Sequence, residues 1–136
     1  MEALPLRLSP GVDLRATLEA TLAAHCQRAA VVISGIGSLC SARVRFAGAN
    51  EPATLRGNLE ILTLAGTVSG DGSHLHMTVA DSEGRVIGGH VAQGCIVRTT
   101  AEIVLLLLPD WSFDRKLDPA TGFAELVISR RAERAA

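Results

Sequence analysis

Two short strand-like segments, residues 74–80 (HLHMTVA) and 85–91 (RVIGGHV), are separated only by Asp81-Ser82-Glu83-Gly84. So short a joint makes a hairpin, and a hairpin's loop length fixes the register of everything that follows. The joint fits a type I turn closing on a glycine that takes positive φ, a common hairpin connection with a bulge. If Asp81 pairs with Arg85, then Ser82, Glu83 and Gly84 form the loop and His76 lies directly opposite His90. His74 and His76 share a face because side chains on a strand alternate with period two, which leaves His74 diagonal to His90. Three of the four histidines then project from one face within reach of one small ion. A one-residue slip would turn every side chain to the other face, so the grouping depends on this register.

Neutral imidazoles suit Zn²⁺ best, with Ni²⁺, Co²⁺ and Fe²⁺ as the other candidates. The bland alternative is three polar residues on an exposed sheet face, hydrogen-bonded to their neighbours. Three protein ligands leave a fourth position for water or a substrate atom, the arrangement of catalytic rather than structural zinc. Water bound there would have a pKa near ~7. Catalysis also requires a general base, and Glu60 and Glu102, near the starts of hydrophobic segments, are the candidates. Their competing reading is a structural ion pair with Arg85 or Arg98. His25 reads as a packing or capping residue rather than a ligand.

Along the rest of the chain, Ser9-Pro10-Gly11 carries the signals of a helix start. Leu14, Leu18, Leu22 and Cys26 then recur every four residues, an apolar stripe running to about Arg28. Strands are expected at 30–34, 39–47, 60–69, 99–108 and 123–129, with a tight turn at Gly35-Ile36-Gly37-Ser38. That turn is not a phosphate loop, because a strand rather than a helix follows it. One helix followed by many strands argues for an α+β fold with a largely antiparallel sheet, one main N-terminal helix and short flanking helical segments. Residues 1–129 read as one domain and 130–136, with Arg130, Arg131 and Arg134, as a short flexible tail. The run Ile103–Leu108 is apolar at every position, so both of its faces require burial. A segment near Trp111 and Phe113, or another subunit, would cover the second face.

A net charge of −1 gives no electrostatic footprint for nucleic acid. Cys26, Cys40 and Cys95 form no Cys-x-x-Cys motif and read as buried free thiols in a reducing cytosol. No signal peptide is apparent, and the longest apolar run is too short to span a bilayer, so a cytoplasmic location is expected.

The ordered set of motifs resembles the PPC (plants and prokaryotes conserved) domain. It opens with Leu8-Ser9-Pro10-Gly11-Val12-Asp13-Leu14 and Gly35-Ile36-Gly37-Ser38, and continues through Leu59–Thr67 and His74-Leu75-His76. It closes with Asp81–His90, Thr100-Ala101-Glu102-Ile103 and Thr121-Gly122-Phe123-Ala124-Glu125-Leu126. The resemblance implies an antiparallel sheet with flanking helices, a homotrimer, and in some prokaryotic members a metal held by histidines matching those here. Plant members contact protein partners through Gly-Arg-Phe-Glu-Ile-Leu. This chain has Gly57-Asn58-Leu59-Glu60-Ile61-Leu62 there, with the arginine and phenylalanine replaced, and it contains no Arg-Gly-Arg-Pro AT-hook.

Two functional readings follow. One is a trimeric, metal-binding module with a regulatory role through protein contacts or DNA. The other is a small tri-histidine metal-dependent enzyme, hydrolytic in type.

Overall fold

The structure, a computed structural model, describes residues 1–132. Its elements are β1 (Glu2–Leu8), α1 (Leu14–Ala24), β2 (Ala30–Arg45), β3 (Ala53–Val68), β4 (His74–Ala80) and β5 (Val86–Val91). They continue with β6 (Ile96–Leu107), β7 (Trp111–Leu117) and β8 (Ala124–Arg130). Six strands form one antiparallel sheet in the order β1-β6-β2-β3-β4-β5, and β7 and β8 form a separate two-stranded arm. The end of β2 also pairs with β5, so β2, β3, β4 and β5 close on themselves. The class is therefore α+β and dominated by the sheet. Among the described residues α1 is the one α-helix, and the arm stands where flanking helical segments were expected.

Helix α1 covers one face of the sheet. Leu14, Leu18 and Leu22 are fully buried in one core cluster with Leu39, Val97, Ile103, Leu105 and Leu107, each contributing roughly 2 kcal/mol of transfer free energy. The helix begins later than Ser9-Pro10-Gly11 predicts. Asp13 caps it instead: its Oδ1 accepts from Ala16 N at 2.9 Å and its Oδ2 from Gly94 N at 2.6 Å. One carboxylate thus satisfies a helix donor and a loop donor together.

The helix also ends before Arg28. Cys26 adopts φ 53, and its N–H and that of Gln27 bond back to the carbonyls of Ala23 and Leu22. This left-handed closure normally uses glycine. It takes Cys26 off the buried stripe and leaves it exposed, as Cys40 is, against the expectation that both are buried. Cys95 is buried, and desolvation pushes its thiol up to about 11.

The turn expected at residues 35–38 does not exist; β2 runs straight through it. Its register against β6 shifts on both sides of that stretch, and Gly37, at φ +151, lies so close to β6 that a Cβ would sit 2.5 Å from Thr100 O. The glycine serves close strand approach at a bulge rather than chain reversal. β1 was not foreseen because Pro5 masks it, yet as the outermost strand it tolerates a proline.

In β6, Ile103, Leu105 and Leu107 point into the core, while Val104, Leu106 and, just past the strand, Leu108 are only half-buried. Around that outer face Ile33, Ile36 and Leu62 are exposed. The expected two-sided burial is met on one side within a single chain. At the other end, Arg130 belongs to β8 and stacks 5.2 Å over Trp111. The remainder of the expected tail, 133–136, lies outside the described residues.

Candidate metal centre

The hairpin has the register read from its loop. His76 pairs with His90, Met77 with Gly89 and Ala80 with Val86. Asp81 N donates to Arg85 O and Gly84 N to Asp81 O, with Gly84 at φ 78. The Asp81 carboxylate accepts from the backbones of Glu83 and Arg85 and from Arg85 Nε at 2.8 Å. These bonds, the Arg85 side chain first, hold its carboxyl below the usual carboxylate range.

Alternation buries Leu75, Met77 and Val79 and sends His74 and His76 outward. His90 joins them from β5, where Gly89 lets the strand close on the end of β2: a Cβ there would meet Arg45 O at 2.6 Å. The ring centroids of His74, His76 and His90 are 4.5, 4.7 and 4.9 Å apart. One ligating nitrogen from each ring falls within 4.8 Å of the others, and the His74 and His76 Nε2 atoms are 3.1 Å apart. Tetrahedral zinc with Zn–N near ~2.0–2.1 Å requires nitrogens about 3.3 Å apart, so small ring rotations close the set. The group fits: three imidazoles converge on one point, and none spends a nitrogen on a carboxylate among the described residues.

The surroundings favour the neutral, ligating form of His74 and His90. His90 is held down to about 4, by burial first and then by Arg45, His76, His74 and Arg15. His74 is lowered by burial, His76, Arg115 and Arg15, with Glu125 opposing. His74 and His90 border a cleft of about 740 Å³ whose walls include Arg15, Arg45, Asn50, Arg115, Phe123 and Glu125.

The start of β4 is pinned by the arm and the helix. Arg115 N donates to Asp71 Oδ2 at 2.7 Å, Arg115 Nε to Gly72 O and Nη2 to Thr67 Oγ1. Ser73 N donates to Glu19 Oε1, which Arg15 also pairs at 3.1 Å.

Glu60 and Glu102, the carboxylates expected to assist, lie elsewhere. They flank β2 and border a separate groove with Ile36, Leu62 and Thr100. Neither forms an ion pair with Arg85 or Arg98 among the described residues; Arg85 pairs with Asp81 and Glu83. The family-implied contact segment Gly57–Leu62 lies in β3, with Glu60 and Leu62 exposed. His25 caps the helix, its Nδ1 2.9 Å from Thr21 O.

The carboxylate beside His74 is Glu125, which accepts from Thr121 Oγ1 at 3.0 Å. Sequence reasoning passed over it, and over Arg45 and Arg115. Its one signal was membership of the block Thr121–Leu126, used only for resemblance.

These features define a sheet-dominated α+β domain bearing a three-histidine cluster at the edge of a polar cleft. A profile of the Plants and Prokaryotes Conserved (PCC) domain matches residues 1–109, and the chain belongs to that family. It is 47% identical over 129 residues to the bifunctional protein GlmU of Synechococcus sp. strain JA-3-3Ab, covering 95% of this chain and 21% of that protein. The chain thus spans about a fifth of the length of the curated relatives it matches. A hypothetical protein from Salmonella superposes with TM-score 0.93 at 38% identity, over 96% of this chain and 95% of that one. A metal-containing protein from Archaeoglobus fulgidus gives 0.75 at 28%, over 93% and 94%. A Bacteroides thetaiotaomicron protein described as a candidate DNA-binding protein gives 0.80 over 92% and 91%; at 21% identity it shares the fold alone.

Proposed function

We propose that this chain is a trimeric, metal-binding PCC module with a regulatory role exerted through protein contacts. His74, His76 and His90 hold one divalent transition metal, zinc by preference, with at least one position left to a non-protein ligand. The observation that carries the reading is the convergence of three imidazole nitrogens within 4.8 Å. The metal-containing description of the Archaeoglobus relative supports it.

Trimer formation rests on the outer sheet face, where Ile33, Ile36 and Leu62 are exposed beside half-buried Val104 and Leu106. DNA association has less support, since the net charge is −1. No helix among the described residues is long and apolar enough to cross a membrane, which accords with a cytoplasmic setting.

A second reading, a small hydrolytic metal enzyme, is favoured by Glu125. It stands beside His74 in a cleft that opens on the rings, where a base would be needed. Metal removal separates the two readings. A structural or sensing site loses melting temperature without any turnover to lose, whereas an enzyme keeps its fold and loses hydrolysis of a general ester substrate.

A further inference from the structure

The guanidinium groups of two half-buried arginines next to the histidines have no carboxylate partner among the described residues. Arg45 pairs with His90 across β2 and β5, so the two side chains leave the same face as close neighbours. Among the described residues its one side-chain hydrogen bond is from Nη1 to Ala49 O at 3.1 Å. Arg115 reaches in from β7 and donates to Thr67 Oγ1, and Thr67 is the residue paired with His74. One guanidinium thus flanks each end of the cluster, and each keeps N–H donors that no acceptor among the described residues takes.

A divalent ion between two such groups is electrostatically unfavourable unless an anion accompanies it. The other charges lining the cleft do not supply one in full. Asp71 accepts the Arg115 backbone N–H, Glu125 accepts from Thr121, and Arg15 already pairs with Glu19. With Arg15 paired to Glu19, the cleft lining sets two guanidiniums, Arg45 and Arg115, against two carboxylates, Asp71 and Glu125, so the charge of an entering divalent ion has no protein counter-charge left to meet it.

We propose that the cleft binds a small molecule through an oxyanion group, carboxylate or phosphate, whose oxygen takes the metal's open position between Arg45 and Arg115. The inference rests on the metal reading above. A cleft of about 740 Å³ has room for a metabolite-sized ligand, and Phe123, 70% exposed at its edge, offers an apolar contact to the remainder of the molecule.

The test begins with zinc affinity and stoichiometry for the full chain in anion-poor buffer, by competition with a chromophoric chelator. Calorimetric titrations of the zinc-loaded protein with inorganic phosphate and, separately, with acetate follow. The cobalt-loaded protein gives a visible spectrum that changes when an oxygen joins the metal. One-site binding of either anion is expected, weakened about tenfold or more by Arg45→Gln and by Arg115→Gln, with one zinc still bound. Arg45→Lys should retain part of the affinity, and Arg98→Ala all of it. The tighter anion identifies the class: phosphate ester or carboxylic acid.

One zinc per chain with neither anion bound, or anion affinity unchanged in both glutamine variants, overturns the proposal while leaving the metal site standing. Absence of zinc binding at the first step overturns both.

Discussion

His76 and His90 occupy directly opposed positions on β4 and β5, their ring centroids 4.7 Å apart, and His74 completes the group diagonally. Removing either member of the opposed pair leaves two ligands, too few for tight binding in competition with water. His76→Ala and His90→Ala should therefore abolish stoichiometric metal, and His25→Ala should leave it unchanged. Elemental analysis after zinc incubation and desalting checks this; equal zinc in wild type and His76→Ala would refute the site.

The metal-free protein should lose stability as pH falls from about 6.5 to about 4. Burial first, then Arg45 and the other histidines, hold His90 down to about 4, so its folded form stays neutral in that window. An unfolded chain, with histidines titrating near 6.5, takes up the proton first, and the equilibrium moves toward it. His74, also lowered, acts in the same direction. Urea midpoints measured across this range should fall, and His90→Gln should flatten the slope. Zinc should hold on to lower pH than an unperturbed histidine would allow, because protons compete less well for a depressed ring.

Sedimentation at micromolar concentration should give a species of three times the 14.2 kDa chain mass. Ile36, 50% exposed on the outer face opposite Glu102, is the position at which a charge should separate the subunits. Wild type sedimenting only at 14.2 kDa, or Ile36→Glu remaining trimeric, would count against the outer face as the interface.

Gly89→Ala should destabilise the fold by about 1–3 kcal/mol, since the new Cβ collides with backbone that no rotamer change can move. Because the collision is with Arg45 O at 2.6 Å, β5 must shift away from β2 and carry His90 with it. Zinc affinity should fall together with the thermal midpoint. A variant of wild-type stability would show that the strands are less closely apposed than described.

The isolated chain should show no nanomolar, sequence-specific DNA binding at physiological salt. A net charge of −1 leaves few phosphate contacts, and those contacts supply most non-specific affinity. A gel-shift titration decides it.

The histidine cluster was legible because its geometry is local. Asp81 through Gly84 set the loop, the loop set the register, and period-two alternation placed the rings. The glycines at 35 and 37 misled because their sequence cannot show whether freedom of φ serves a turn or a close neighbour. That neighbour, β6, lies far along the chain. Glu125 and Arg115 escaped for the same reason: the arm reaches the cluster through tertiary packing, which no spacing within 111–130 encodes. Cys26 broke the leucine stripe because a non-glycine residue took the left-handed closing position of the helix.

The pairing of β1 with β6, Glu2 against Leu107 and Leu8 against Ala101, has a consequence for the order in which the molecule forms. During synthesis β1 has no partner until the stretch from Ala101 to Leu107 has been made. The β4–β5 hairpin, with its short loop, needs no such distant partner. Folding should therefore be slow and dominated by a late, long-range closure, as loop entropy demands of distant strand pairs. A chain cut short before residue 101 would leave β1 without its partner and open to protease.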